Sequence, residues 1–190
     1  MPCYEITMQH SLESFEALSR MQYDLFCFNN RIARSVLALA AILFGLFHFS
    51  AWWGILAVAY GCYLTTSTYS SPNHTARKLA DQVEQSGLGF PASRFLFYKT
   101  EVVICPIPDS DAERTTLAYR DIRRLGEDMN YFYLFRDEYG GYMIPKEALK
   151  DKTDSFRSFL EEAASQRFRM RTAPVIKLIR SLQRTHRSNL

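Results

Sequence analysis

The stretch SVLALAAILFGLFHFSAWWGILAVAYGCYLTTSTYSSPNHTA, residues 35–76, decides how this chain is organised. It contains no Asp, Glu, Lys or Arg, so 42 uncharged residues separate Arg34 from Arg77. Core helices of soluble proteins carry a charged outer face, and this stretch has none. At 1.5 Å per residue one helix of that length would reach about 63 Å, roughly twice a bilayer core of about 30 Å. The pattern predicts two spans, at about Ile32–Phe49 and Trp52–Tyr69. The turn between them is the polar, aromatic and flexible run His48, Phe49, Ser50, Ala51, Trp52, Trp53 and Gly54.

Working outward, Arg20, Arg31 and Arg34 precede the stretch, and Arg77 and Lys78 follow it. By the positive-inside rule both flanks, and hence both termini, are expected on the cytoplasmic side of a multi-pass protein. The first 30 residues hold Glu5, Glu13, Glu16 and Asp24 and no basic leader, which argues against a secretory signal. Gly45, Gly54 and Gly61, with Ala38, Ala40, Ala41, Ala57 and Ala59, permit close approach of the two helices and are equally suited to self-association as a homo-oligomer. His48 reads as an interfacial side chain at the turn.

Before the membrane stretch, Tyr4, Ile6 and Met8 alternate with Glu5 and Thr7, which predicts a short strand. Ser11 is an N-cap candidate for an amphipathic helix carrying Leu12, Phe15, Leu18, Met21 and Leu25 on one face. After it, Ala76 to Gln85 reads as a charged helical connector closed by Gly87 and Gly89. The period then changes to alternation through Phe95–Lys99, Val102–Cys105, Thr115–Tyr119, Ile122–Leu125, Tyr131–Phe135 and Tyr142–Ile144. Turn signals at 106–111, 126–130 and 137–141 separate these runs, so five or six short antiparallel strands are expected. A helix from Asp151, with Phe156, Phe159, Leu160 and Ala163 on one face, closes the sheet.

The expected class is therefore an α+β membrane protein: a two-helix transmembrane hairpin plus a small antiparallel sheet or roll closed by a C-terminal helix. The segments are 1–31 (strand and amphipathic helix), 32–70 (hairpin), 71–92 (connector), 93–165 (strand-rich domain with its closing helix) and 166–190 (basic tail).

The tail sets the charge balance. No acidic residue follows Glu162, while Arg167, Arg169, Arg171, Lys177, Arg180, Arg184 and Arg187 do, so the net +3 of the 190 residues conceals a body at −4. Val175, Leu178, Ile179 and Leu182 fall in one sector of a helical wheel, opposite Lys177, Arg180, Arg184 and Arg187, which predicts a basic amphipathic helix beginning near Thr172–Pro174. These seven cations are the candidate contact for anionic lipid headgroups or a protein partner.

The layout, and the segment LAYRDIRRLGEDMNYFYLFRDEYGGYMIPKEAL at 117–149, resembles the YcxB-like family of bacterial membrane proteins over about residues 4 to 165. The resemblance rests most on Tyr119 and Ile122, the Tyr131–Phe135 run and the turn at Ile144, Pro145 and Lys146. It implies a cytoplasmic domain similar to a pleckstrin-homology-type roll, anchored in the bacterial inner membrane, and it transfers no catalytic residues.

Catalytic signatures are not found in the sequence. Gly87–Phe90 lacks the Lys and hydroxyl of a phosphate-binding loop, and no HExxH or GxSxG occurs. His10, His48, His74 and His186 are widely separated, and Cys3, Cys27, Cys62 and Cys105 have neither metal-ligand nor disulfide-framework spacing. Asp109, Asp111 and Glu113 read as a solvated cluster, because the glycine and terminal glutamate of a calcium loop are missing. Phe95, Phe97, Tyr98, Tyr131, Phe132, Tyr133 and Phe135 read as core rather than as a platform for RNA bases, since few Lys or Arg interleave them. Lys146 reads as a turn residue rather than a catalytic base. The expected function is non-catalytic, with no cofactor or metal: binding of a protein partner or anionic lipid, nucleic acid being disfavoured. The alternative is an accessory or regulatory subunit of a membrane transporter or membrane enzyme, packed through the hairpin.

Overall fold

The computed structural model describes residues 1–87, 89–108 and 114–170. Within them the chain is α+β, with four α-helices and two four-stranded sheets. It divides into two compact units. Residues 1–8, 94–105 and 114–170 build the strand-rich one, and 9–93 with 106–108 build the helical one.

The strand-rich unit begins with β1 (Tyr4–Gln9), where Ile6 and Met8 are buried and Glu5 and Thr7 exposed, as alternation requires. After the helices come β2 (Ala92–Phe97), β3 (Glu101–Ile107) and β4 (Thr115–Ala118), giving one sheet in the order β1-β2-β3-β4. Then β5 (Arg124–Glu127), β6 (Tyr131–Phe135) and β7 (Gly141–Pro145) form an antiparallel meander. A two-residue strand, β8 (Arg169–Met170), joins it parallel to β5, so the second sheet runs β7-β6-β5-β8. The expected meander is thus two sheets.

The closing helix is α4 (Thr153–Ala164). Its Phe156 ring meets Tyr4 of β1, Phe97 of β2 and Phe132 of β6 at centroid distances of 5.0, 4.9 and 5.6 Å, so one side chain joins both sheets. Such edge-on and tilted aromatic contacts add to the area each ring buries. Phe95, Phe97, Phe132, Tyr133 and Phe135 are all buried, which places these aromatics in the core. Tyr119 leaves β4 in a 3-10 turn, and its hydroxyl donates to the Tyr98 carbonyl at 2.7 Å. Burial pushes its pKa well up.

The helical unit holds α1 (Leu12–Phe26), α2 (Phe28–Phe47) and α3 (Trp52–Gln85). Ser11 caps α1: its hydroxyl accepts from the Ser14 amide at 3.2 Å, and the Ser14 hydroxyl accepts from the Ser11 amide at 2.9 Å. The sequence-predicted connector is no separate element. Helix α3 continues through Pro72 to Gln85, because the change from uncharged to charged side chains at Arg77 does not interrupt its backbone.

The expected turn at 126–130 shortens to 128–130. Gly126 and Glu127 belong to β5, because Glu127 finds cationic partners that let it enter the core.

Candidate functional site

Two constellations stand out, one in each unit. The first is the outer surface of α2 and α3. The helices touch backbone to backbone. A Cβ on Gly45 would lie 2.5 Å from the Gly54 carbonyl oxygen, and one on Gly61 would lie 2.7 Å from that of Ala38. The expected small residues are therefore used inside the pair. The bulky apolar residues Val36, Leu37, Leu39, Leu43, Ile55 and Leu56 point outward and are exposed. Only 11% of the apolar window of α2 is buried.

Polar contacts begin where this apolar surface ends. Arg31 pairs with Asp24 and lies 5.2 Å over the Tyr69 ring. Beyond that level α1 packs along α3 through Tyr23 to Ser71 (3.1 Å), Arg20 to Asn73 (2.8 Å) and Arg77 to Glu16 (3.4 Å). At the other end Phe44, His48 and Trp53 form a cluster of rings, with His48 4.8 Å from Trp53, which places His48 at the turn. From Arg31 to His48 is 17 residues, or about 26 Å of helix.

By length and composition, one helix among the described residues is apolar enough to cross a membrane: Phe28–Phe47. The second expected span, at the start of α3, falls short. Tyr60, Tyr63, Thr65, Thr66, Ser67 and Thr68 dilute its apolar content.

The second constellation is a buried charge cluster that sequence reasoning missed. Glu127 is 4% exposed. Lys146 donates to its Oε1 at 2.7 Å and to the Asp128 carbonyl at 2.6 Å, and lies 4.8 Å over the Phe132 ring. Arg157 of α4 sits 3.1 Å from Glu127 Oε2, an ion pair without hydrogen-bond alignment. Asp128 in turn accepts from the Tyr133 hydroxyl at 2.5 Å and from the amides of Asn130 and Tyr131. The cluster ties β5, the end of β7 and α4 together. Lys146 thus has a partner its turn reading did not foresee: it neutralises a carboxylate that would be costly to bury alone.

Of the seven tail cations, Arg167 and Arg169 are exposed on either side of the buried Phe168. Arg171, Lys177, Arg180, Arg184 and Arg187, the helix expected from 172 on, the cluster Asp109, Asp111 and Glu113, and His186 lie outside the described residues. Among the described residues no three His, Cys, Asp or Glu side chains converge as metal ligands. All four cysteines are free, Cys105 in the core and Cys3 and Cys62 exposed.

Fold and surface define an α+β protein with at least one helix suited to a bilayer. Residues 107–161, from the end of β3 into α4, match the family model of the YcxB-like protein. The match covers 55 of the 190 residues, all within the 4 to 165 over which the sequence resembles that family, and it contains Glu127, Lys146 and Arg157. No curated protein and no solved structure matches the chain.

Proposed function

We propose that this chain is a non-catalytic integral membrane protein, anchored by the α2–α3 pair as a two-span hairpin in a bacterial inner membrane. Both termini and a pleckstrin-homology-like strand unit then lie in the cytoplasm. There the strand unit and the basic tail bind anionic lipid headgroups or a protein partner.

The observation that carries this reading is the outward-facing apolar surface of two helices in backbone contact. Water would reject a continuous surface of that kind, and lipid solvates it. The hydroxyls that lower the hydropathy of α3 are satisfied inside the helix. Thr65, Thr66 and Thr68 donate to the carbonyls of Gly61, Cys62 and Leu64 at 2.9, 3.0 and 2.7 Å, which reduces their cost in a bilayer. The basic flanks at Arg31, Arg34, Arg77 and Lys78 favour one topology for both ends.

Extraction of the full chain into native lipid discs, followed by mass spectrometry of what is retained, tests the reading. Anionic lipid without a stoichiometric second protein is the expected result. A stoichiometric membrane transporter or enzyme would replace it with the subunit role. Fluorescent-protein fusions at either end should both fluoresce; a dark C-terminal fusion would contradict the two-span topology.

A further inference from the structure

Helix α3 carries a second pattern besides the glycines that face α2. Trp52, Leu56, Ala59, Tyr63 and Thr66 recur at intervals of four, three, four and three residues, and all five are exposed. At 100° per residue they fall in one sector about 80° wide, on the side of the helix opposite Gly54 and Gly61. Alternating fours and threes is the spacing of a seam along which two helices pack knobs into holes. Gly54 and Gly61 are taken up by α2, so self-association of the pair uses another face, and this seam is one.

The seam and its edge hold the hydroxyls that α3 itself leaves unpaired. Between Trp52 and Thr68, the residues Thr65, Thr66, Ser67 and Thr68 each donate to a carbonyl of their own helix. Tyr63 on the seam and Tyr60 beside it are exposed and have no hydrogen-bond partner among the described residues. Three residues apart, they are neighbours on the helix surface.

Arg31 lies over the Tyr69 ring at one boundary of the apolar surface, and Trp52 stands at the other. Tyr60 is eight residues from Trp52 and nine from Tyr69, about 12 and about 14 Å along the helix, and Tyr63 is about 9 Å from the Tyr69 level. Side chains lean toward the helix N-terminus, which carries the Tyr63 ring away from that nearer boundary. In the bilayer orientation proposed for the pair, both phenols sit in hydrocarbon. An unpaired hydroxyl is costly there, and acyl chains offer it no partner.

A second copy of this chain offers one. Copies inserted with the same topology run parallel, so a two-fold axis along the bilayer normal sets each seam residue opposite its own counterpart. Only a face complementary to itself pairs in that way. No charged residue lies between Arg34 and Arg77, so no like charges meet, and a phenol hydroxyl both donates and accepts, so identical tyrosines can bond each other. Ala59, one turn from Tyr63, lets the backbones approach. The α1 contacts at Ser71, Asn73 and Arg77 begin beyond Thr66 and leave the seam open.

We propose that Trp52, Leu56, Ala59, Tyr63 and Thr66 form the interface of a parallel homodimer, in which Tyr60 and Tyr63 find their hydrogen-bond partners on the second copy. The proposal rests on the two-span membrane reading, which places these hydroxyls in hydrocarbon.

Photobleaching-step counting tests it, on the full chain fused at its C-terminus to a fluorescent protein, in phosphatidylcholine vesicles over a series of protein-to-lipid ratios. Two-step spots should predominate and give way to single steps only at the highest dilution. The double variant Y60F and Y63F removes two oxygens and no packing surface, and should dimerise several-fold more weakly. Ala59→Trp, which forces the backbones apart, should weaken the dimer at least as much, whereas Leu39→Phe on the outer surface of α2 should change nothing. Single steps at every dilution overturn the proposal. A dimer that neither α3 variant weakens also overturns it, because the copies then meet elsewhere. One copy held with a stoichiometric second protein in native lipid discs overturns it in favour of the subunit role.

Alkaline extraction of cell membranes separates this failure from failure of the membrane reading. A monomeric chain retained in the pellet loses the dimer alone. A chain released by alkali, or dark in cells when fused at its C-terminus, loses the hairpin, and the dimer falls with it, because hydroxyls in water need no protein partner.

Discussion

The two units use phenylalanine in opposite ways. In the strand unit Phe97, Phe132, Phe135 and Phe156 have no exposed surface; in the helical unit Phe28, Phe44, Phe47 and Phe49 are exposed, Phe47 by 86%. Both units are rich in apolar side chains, so composition does not distinguish them. Direction does. Rings turned inward around a helix make a core, whereas apolar side chains turned outward from a backbone-to-backbone helix pair leave the surface that we propose lipid covers. Interior packing follows suit: large rings fill the strand core, while glycines and alanines bring α2 and α3 together.

The same substitution placed in each unit gives the largest expected contrast. Phe156→Ala removes the ring that joins both sheets and should cost about 3–5 kcal/mol, read by denaturant unfolding in mild detergent. Phe47→Ala should stay within about 0.5 kcal/mol by the same assay. Comparable losses would show that the two rings are packed alike.

Leu39 is exposed near the middle of α2. On a surface facing water Leu39→Arg would be nearly silent, whereas at the centre of a bilayer span it should cost about 3 kcal/mol of insertion. The fraction of chain resisting alkaline extraction reads the difference. An unchanged fraction contradicts a lipid-facing Leu39.

Within the strand unit, Lys146→Met leaves Glu127 with Arg157 alone and should cost about 2 kcal/mol by thermal unfolding. Pairing it with Glu127→Leu should recover most of the loss, because the buried charge is then gone.

The smallest effect concerns His10, whose pKa burial lowers; its ring stacks on Phe15 with centroids 5.1 Å apart, and Nδ1 lies 3.2 Å from the Ser14 hydroxyl. A depressed pKa means the unfolded chain binds the proton more readily. The stabilisation from neutral His10 is therefore complete above about pH 6.5 and is lost as pH falls through the folded-state value. Wild type should lose more melting temperature than His10→Gln between about pH 7.5 and about pH 5. Parallel losses would remove His10 as a contributor.

Features with a local cause were legible in the sequence. Alternation in Tyr4–Gln9, the Ser11 cap, the Phe156–Leu160 face and the aromatic strand Tyr131–Phe135 each follow from neighbouring residues, and the structure holds all of them. Features made by distant partners were not. Glu127 and Lys146 are 19 residues apart and meet only when β5 and β7 flank β6; Arg124 and Arg167 reach the same level only through a parallel pairing with β8. Nothing local marks Lys146 as more than the residue after a proline. The length of α3 was not legible for a different reason: the sequence changes from uncharged to charged at Arg77, while the helix runs on past Pro72 to Gln85 without a break.

If the tip of the α2–α3 pair lies in a membrane, the chain carries its own probe there, because Trp52 and Trp53 are its two tryptophans. Tryptophan fluorescence of the full chain in vesicles of acyl-chain-brominated lipid tests it directly. Strong quenching by brominated lipid, with little quenching by aqueous iodide, is the expected result. Full fluorescence in brominated vesicles, together with free access to iodide, would put the tip in water and contradict a membrane-embedded hairpin.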